Sequence, residues 1–280
     1  MTPTERPADA RAADAHTPAD AASAGSPHRT PPAPGRVLHV FRDPPLDGPT
    51  NMARDEALLH SEEVRPAALR LYEWSPPTLS LGYFQRHELL AALPPELRSL
   101  AVVRRTTGGG AILHDREITY CLVLDESVPI ARRSPAELYR VAHQCWRDVL
   151  ALDGIASTLA PDDFPLPTPR AGPFFCFQKP GRTDLLLGGA KLLGSAQRRV
   201  AGRVLQHGSL ILDQRFAAHP GAALGGPAVD AQERWIKTFI AALGAALDVA
   251  PRPARWSETL FADATQRRAK YAGDDWTRKF

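Results

Sequence analysis

The chain has 280 residues, 44% of them apolar, and a formal net charge of +3. That length can bury one sizeable core, and basic residues scattered along it leave no footprint for a nucleic-acid backbone. Three cysteines, Cys121, Cys145 and Cys176, are an odd count without the spacing of a zinc site or disulfide framework; a reducing, cytoplasmic setting is expected, with no bound metal. No apolar run approaches the roughly 20 residues of a membrane span.

Residues 1–36 are dominated by Ala, Pro, Thr, Ser and Asp and contain no Val, Ile, Leu or Phe. Such a segment buries too little apolar surface to offset the entropy of ordering it, so a disordered tail is expected. Glu5, Asp9, Asp14 and Asp20 argue against an organellar transit peptide, which is poor in acids. Residues 37–280 are expected to form one domain.

Strands are predicted at Val37–Phe41, Leu69–Trp74, Thr78–Phe84 and Leu100–Arg105. Between the first two, Thr50 or Asn51 can cap a helix carrying Met52, Leu58 and Leu59. A second helix is predicted from Pro135 to about Asp153, with Ser134 as cap, Glu137 completing a capping box and Gly154 as stop. Its stripe of Leu138, Val141, Ala142, Cys145, Val149 and Leu152 should face a core. A Pro-rich loop, Pro161 to Pro173, precedes Phe174-Phe175-Cys176-Phe177. Two apolar runs then flank Gly188-Gly189, a pair suited to a type I′ hairpin. A strand at Val204–Leu212, a helix around Val229–Leu247 and a short tail with Trp256 and Trp276 complete the chain. Hairpins without strict β-α alternation indicate an α+β fold on a largely antiparallel or mixed sheet.

Three blocks carry the chemistry. In Arg104-Arg105-Thr106-Thr107-Gly108-Gly109-Gly110-Ala111-Ile112-Leu113-His114-Asp115, three successive glycines let the backbone approach a ligand and aim N–H groups at it. A His-Asp turn is expected to close a hairpin onto Ile118–Leu124. In Asp184-Leu185-Leu186-Leu187-Gly188-Gly189-Ala190-Lys191-Leu192-Leu193-Gly194-Ser195-Ala196-Gln197, the Lys191 ammonium either snorkels to solvent or is held inside a pocket. In Leu205-Gln206-His207-Gly208-Ser209, a His-Gly pair interrupts an apolar strand, as a satisfied core histidine or as part of a site.

Together these blocks resemble the lipoate-protein ligase and octanoyltransferase family, in order and in spacing. Asn51-Met52-Ala53 with Asp55-Glu56, and Trp74-Ser75-Pro76-Pro77-Thr78 running into Leu81-Gly82-Tyr83-Phe84-Gln85, extend the likeness over roughly residues 37 to 250. Thr107 stands where the family carries Ser and keeps the hydroxyl. The resemblance implies a fold like that of class II aminoacyl-tRNA synthetases and biotin ligases: a mixed sheet with flanking helices. It further implies that Arg104, Thr107, Gly108, Gly109, Gly110 and Ala111 line an acyl pocket, together with His114. Lys191 becomes the central cation, Gly194, Ser195 and Ala196 leave room for the acyl chain, and His207 and Gly208 wall the same site.

The family holds two chemistries. A ligase makes an acyl-adenylate with ATP and Mg²⁺; a transferase takes an octanoyl or lipoyl group from the thioester of acyl carrier protein through its own cysteine, with no cofactor. Acceptors of both are lysines of lipoyl domains, as in the glycine cleavage H protein and E2 subunits. One transferase class carries its cysteine just before the His-Gly pair, where Val204-Leu205-Gln206 has none. A second class places a Cys-Phe pair shortly before the Asp-Leu strand, and Cys176-Phe177 stands there, which makes Cys176 the candidate nucleophile. On composition alone Cys176 would be a buried packing thiol among its phenylalanines. Gly181-Arg182-Thr183-Asp184 lies close to a ligase sequence, so an ATP-dependent lipoate ligase is the alternative, beside an amidotransferase between carriers and a non-catalytic lipoyl-carrier-binding protein. Cys121, in a strand, and Cys145, in a helix stripe, are expected to be inert.

Overall fold

The computed structural model describes residues 35–164 and 173–280. The predicted tail, up to residue 34, and most of the Pro-rich loop lie outside the described residues. In chain order the elements are β1 (Val37–Arg42), α1 (Gly48–His60), β2 (Ala67–Tyr72), β3 (Thr78–Leu81), α2 (Pro95–Arg98), β4 (Ala101–Arg104), β5 (Ile112–His114), β6 (Glu117–Asp125) and α3 (Pro135–Leu152). After these come β7 (Ser157–Leu159), β8 (Leu185–Leu187), β9 (Ala190–Val200), β10 (Arg203–Ile211), α4 (Val229–Leu247), β11 (Ala250–Pro253), α5 (Glu258–Ala272) and α6 (Asp274–Thr277). The architecture is α+β, as the strand pattern indicated.

An eight-stranded mixed sheet runs in the order β11-β1-β2-β6-β10-β9-β8-β7. Strands β11, β1 and β2 are parallel, and every later pairing is antiparallel. Alternation with period two sorts its side chains onto two faces. Leu69, Leu71, Tyr120, Leu122 and Leu124 join the core under α3 and α4, whereas Ala68, Tyr72, Cys121 and Val123 join the core under α1 and α5. A separate three-stranded sheet, β4-β3-β5, packs its own cluster of Leu79, Leu81, Leu113 and Phe175.

Helix α3 is capped as its sequence specifies: the Ser134 hydroxyl accepts from the Glu137 N–H, and the Glu137 carboxylate accepts from the Ser134 N–H. Its stripe differs from the expectation at the C-terminal end. Leu152 is 74% exposed, and the buried face carries His143, Trp146 and Leu150 instead. Trp146 stacks on Phe239 of α4 at 4.1 Å. Helix α1 begins earlier than predicted, because the carboxylate of Asp47, rather than Thr50 or Asn51, accepts from the Thr50 N–H at 2.8 Å.

Two corrections concern connectivity. The chain segments around His114 and Asp115 do not close a hairpin: β5 pairs with β3 in the small sheet, and β6 pairs with β2 and β10 in the large one. The turn between them thus carries the chain from one sheet to the other. The predicted short tail is a strand and two helices. Strand β11 holds Pro251 and Pro253, which a strand tolerates only at a sheet edge, and it lies at the edge beside β1. Helix α5 buries only Leu260, Ala264 and Tyr271, against α1. The hairpin at Gly188-Gly189 forms as predicted, with both glycines at positive φ.

Candidate active site

Lys191 sits one residue past the β8-β9 turn, and a bulge sets its direction. Leu186 pairs with Lys191 but Leu185 pairs with Leu193, so Leu192 is an extra residue on β9. The alternation is thereby displaced, and Lys191 and Gly194 share a face. The Lys191 side chain lies back along β9, and a Cβ on Gly194 would stand 2.1 Å from its Cε and 2.4 Å from its Nζ. Gly194 is therefore the space that Lys191 occupies, rather than room for an acyl chain.

The buried ammonium has two side-chain partners: Nζ lies 2.8 Å from Asp184 Oδ2 and 3.2 Å from Cys176 Sγ. The ring of Phe177 is 5.1 Å away. Burial alone would push the lysine down, but Cys176 and Asp184 together hold it above the ordinary lysine range. Lys191 is thus a fixed cation, which answers the choice between solvent and pocket. Asp184, named in no expected role, is positioned from both sides. Its Oδ2 accepts from the Gly181 N–H at 2.6 Å, and the preceding Thr183 takes a left-handed backbone whose carbonyl accepts from His143 Nδ1 at 2.6 Å. Burial pulls His143 down to about 4, so its ring is neutral; Nε2 is left to accept from the Ser195 hydroxyl at 2.7 Å. The Ser195 side chain, expected along the acyl chain, instead faces α3 and also meets the Tyr120 hydroxyl at 2.7 Å.

The glycine loop holds the cysteine loop by backbone. Cys176 N–H donates to the Ala111 carbonyl, and Ala111 N–H donates to the Phe174 carbonyl, both at 2.8 Å. A Cβ on Gly110 would stand 2.9 Å from Cys176 N, so the approach needs glycine there. One of the expected backbone donors, that of Ala111, is spent on this contact. The two arginines separate. Arg105 is buried and donates to the carbonyls of Ser80, Gly108 and Gly110, fixing the loop from beneath; burial draws its guanidinium down to about 10. Arg104 points the other way, to the carbonyls of Gly82, Tyr83, Gln85 and Thr277, and does not line the pocket as expected.

Beside this cluster a narrow, largely apolar cavity is lined by Met52, Tyr72, Trp74, Ser80, Arg105, Ile112, His114, Thr119, Ala196, His207, Gly208 and Ser209. Ala196 pairs across the sheet with His207 and Gly194 with Ser209, so the cavity wall and the lysine share one face of β9 and β10. His114 is stacked on Trp74 at 3.8 Å and bonded to Glu117 and Ser80, each at 2.7 Å. His207 bonds Thr107 Oγ1 at 2.7 Å through Nε2 and faces Asp55 Oδ2 at 3.3 Å through Nδ1. A Cβ on Gly208 would strike the Ser195 hydroxyl at 2.3 Å, so Gly208 makes room for a side chain, like Gly194. Of the other cysteines, Cys121 is buried with its thiol pushed well up by burial, and Cys145 is buried within α3. Among the described residues no group of three or more His, Cys, Asp or Glu could hold a metal ion.

A thiol, a fixed ammonium and a narrow, largely apolar cavity stand together on one α+β frame. The model of the lipoyl protein ligase A/B catalytic domain matches residues 47–247, and the chain belongs to that family. The octanoyltransferase LipM of Kyrpidia tusciae is 38% identical over 86% of this chain and 97% of that protein. LipM of Geobacillus kaustophilus is 42% identical over 58% of this chain, a match that spans 61% of that protein. Among solved structures, Ta0514 of T. acidophilum with bound lipoic acid aligns with a TM-score of 0.66 at 19% identity, covering 88% of this chain and 99% of that one. A lipoate-protein ligase A bound with ATP aligns with a TM-score of 0.66 at 17% identity, covering 87% and 98%. The class II synthetase-like fold implied by the sequence is the fold of these neighbours.

Proposed function

We propose that this chain is an acyltransferase of protein lipoylation that moves an octanoyl group from the thioester of an acyl carrier protein, through Cys176, to a lysine of a lipoyl domain. The observation that carries the reading is the contact of Cys176 Sγ with the buried Lys191 ammonium at 3.2 Å, a cation set against a sulfur as nucleophilic catalysis by cysteine requires. The octanoyltransferase names of the relatives support octanoyl as the group, and a neighbour solved with its E2 lipoyl domain supports the acceptor.

In the first half-reaction the thiolate attacks the carbonyl carbon of the donor thioester. The carrier leaves as its own thiolate and takes a proton from water. Lys191 faces the sulfur and the adjoining carbonyl oxygen, where negative charge develops, and Arg105 keeps the glycine loop in place beneath. In the second half the acceptor lysine attacks the new thioester and returns Cys176 to its starting form. Because Asp184 remains on Lys191 throughout, the lysine keeps its proton when the sulfur is acylated. No ATP enters this sequence, and none of its steps calls for a cofactor. The work it describes, modification of soluble carrier proteins, suits the cytoplasm.

Mixing the protein with octanoyl carrier protein should add one octanoyl mass to Cys176, removable by hydroxylamine. Cys176→Ser should abolish turnover, and Lys191→Ala should lower it by about 10²–10³, while Cys121→Ser and Cys145→Ser retain it. Full activity of Cys176→Ser with free octanoate, strictly dependent on ATP, would establish the ligase instead.

A further inference from the structure

Aminolysis of a thioester releases a proton from the attacking nitrogen, and among the described residues the groups nearest Cys176 are already committed: the Asp184 carboxylate accepts from Lys191 and from the Gly181 N–H. Lys191 is already an ammonium, held between Asp184 and Cys176. His143, on α3, uses both ring nitrogens, on the Thr183 carbonyl and the Ser195 hydroxyl. His114 is bonded through both of its nitrogens as well. All three imidazoles end on a hydroxyl, His143 on Ser195, His114 on Ser80 and His207 on Thr107, and among these hydroxyls that of Thr107 belongs to the glycine loop whose Ala111 carbonyl holds Cys176 N.

The geometry around His207 fixes which nitrogen holds the proton. Asp55 is buried, and although burial would raise it, His207 and Arg70 hold it below the ordinary carboxylate range. Arg70 Nη1 reaches its Oδ1 at 2.7 Å, and the Tyr72 hydroxyl donates to Oδ2 at 2.9 Å. A carboxylate only accepts, so Nδ1 of His207 carries the hydrogen and Nε2 presents a lone pair to the Thr107 hydroxyl 2.7 Å away. Carboxylate, imidazole and hydroxyl stand in line, an order that elsewhere activates nucleophiles. The hydroxyl belongs to the loop that ends at Ala111, whose carbonyl holds Cys176 N. Across the sheet His207 faces Ala196, and Lys191 Nζ stands over Gly194, on the same strand face two residues, about 7 Å of β9, from Ala196.

We propose that Thr107 and His207, oriented by Asp55, form the proton path for the second half-reaction. The proposal rests on the transferase reading above. The acceptor amine arrives neutral, having left its ammonium proton to water. Its lone pair forms the C–N bond with the thioester carbonyl carbon, and the C–S bond breaks with its electron pair returning to Sγ beside Lys191. The proton that the amide nitrogen no longer holds passes to Thr107 Oγ1, whose own proton moves to His207 Nε2. The imidazolium, neutralised by Asp55, then gives that proton to water.

The test separates the half-reactions in the full-length protein, with octanoyl carrier protein as donor and a lipoyl domain as acceptor. In His207→Gln and Thr107→Val, the thioester on Cys176, followed by mass, should still form, and its formation should slow far less than the transfer that follows. Its transfer to the lipoyl domain should slow by about 10²-fold or more, while hydroxylamine, a neutral and strong nucleophile, clears all the thioesters at similar rates. Thr107→Ser should restore the transfer lost in Thr107→Val. Thioesters that pass to the lipoyl domain as fast in both variants as in wild type would overturn the proton path and leave the transferase standing, as would equal slowing of both halves in variants with wild-type melting temperature. Absence of any adduct on wild-type Cys176 would instead overturn the transferase itself, and the path with it.

Discussion

Lys191 occupies the volume that a side chain on Gly194 would fill: an added Cβ would lie 2.4 Å from Nζ. Gly194→Ala must therefore push the ammonium off Cys176 and Asp184 while leaving the β9-β10 ladder intact. Octanoyl transfer should fall by about 10²–10³, the cost of one misplaced preorganised charge. The melting temperature should change much less than the rate. A Gly194→Ala enzyme with wild-type turnover would show that the position of Lys191 is not what the reaction uses.

Arg70 is fully buried and joins three elements, reaching Asp43 on Nε at 2.6 Å, Asp55 on Nη1 at 2.7 Å and Asn51 on Nη2 at 2.7 Å. Arg70→Met keeps the volume but leaves Asp43 and Asp55 short of their counter-charge, which typically costs about 3–5 kcal/mol. Urea denaturation should show that loss. A cost near zero would mean that Arg54, which also pairs with Asp43 at 2.7 Å, suffices for the cluster.

His143 gives the protein an acid sensitivity of calculable sign. Its folded value is about 4, against 6.5 for an ordinary imidazole, because burial disfavours the charged ring. Between those pH values the unfolded chain binds a proton that the folded chain refuses, so this contribution is intact above about pH 6.5 and is lost as pH falls towards 4. The loss approaches about 3 kcal/mol. Denaturation of wild type and His143→Gln across that window should give curves that converge by this amount in acid. Parallel curves would mean that the ring is protonated in the fold.

Arg104 ties the C-terminus to the loop after β3. Its guanidinium donates to the Thr277 carbonyl at 2.7 Å and to Gln85 at 2.6 Å, and the Trp276 indole donates back to the Arg104 carbonyl at 2.8 Å. Arg104→Met and deletion of residues 274–280 should each destabilise the protein. Combined, they should cost less than their sum by about 0.5–3 kcal/mol. Strict additivity would show that the two are independent.

The legible part of the site was the part written locally. The glycine run, the His-Gly pair and the hairpin at Gly188-Gly189 declare their backbone needs in one stretch of sequence. Cys176, which the structure sets against Lys191, was singled out only through its place before the Asp-Leu strand, since its residue type alone suits a core. Which of Arg104 and Arg105 faces the cavity was not legible, because neighbouring residues of a strand point to opposite sides and the pairing of Leu81 with Arg104 decides the matter. Asp184 and His143 were missed for a different reason. Asp184 meets Lys191 over Gly194 because of a one-residue bulge, and His143 hides in a helix stripe that a hydrophobic pattern reads as apolar. The signal for Asp184 was present: an acid and a lysine flanking the same tight turn. Helix α5 gave little to read, since three buried residues in fifteen barely mark a face.

The passage of the chain from β5 to β6 leaves the cavity bounded by two sheets that share no ladder among the described residues. On the seam, the span is held by side chains: Trp74 against His114, and Glu117 accepting from His114, Thr119 and Ser209. Backbone pairing resists deformation in whole registers, whereas stacked rings and hydroxyls yield by fractions of an ångström. The slot is accordingly compliant across the seam and stiff along β9 and β10. If the slot holds the acyl chain of the proposed reaction, a chain of slightly different girth would meet a wall that gives, and one whose reactive end is misplaced along the strand would meet a wall that does not.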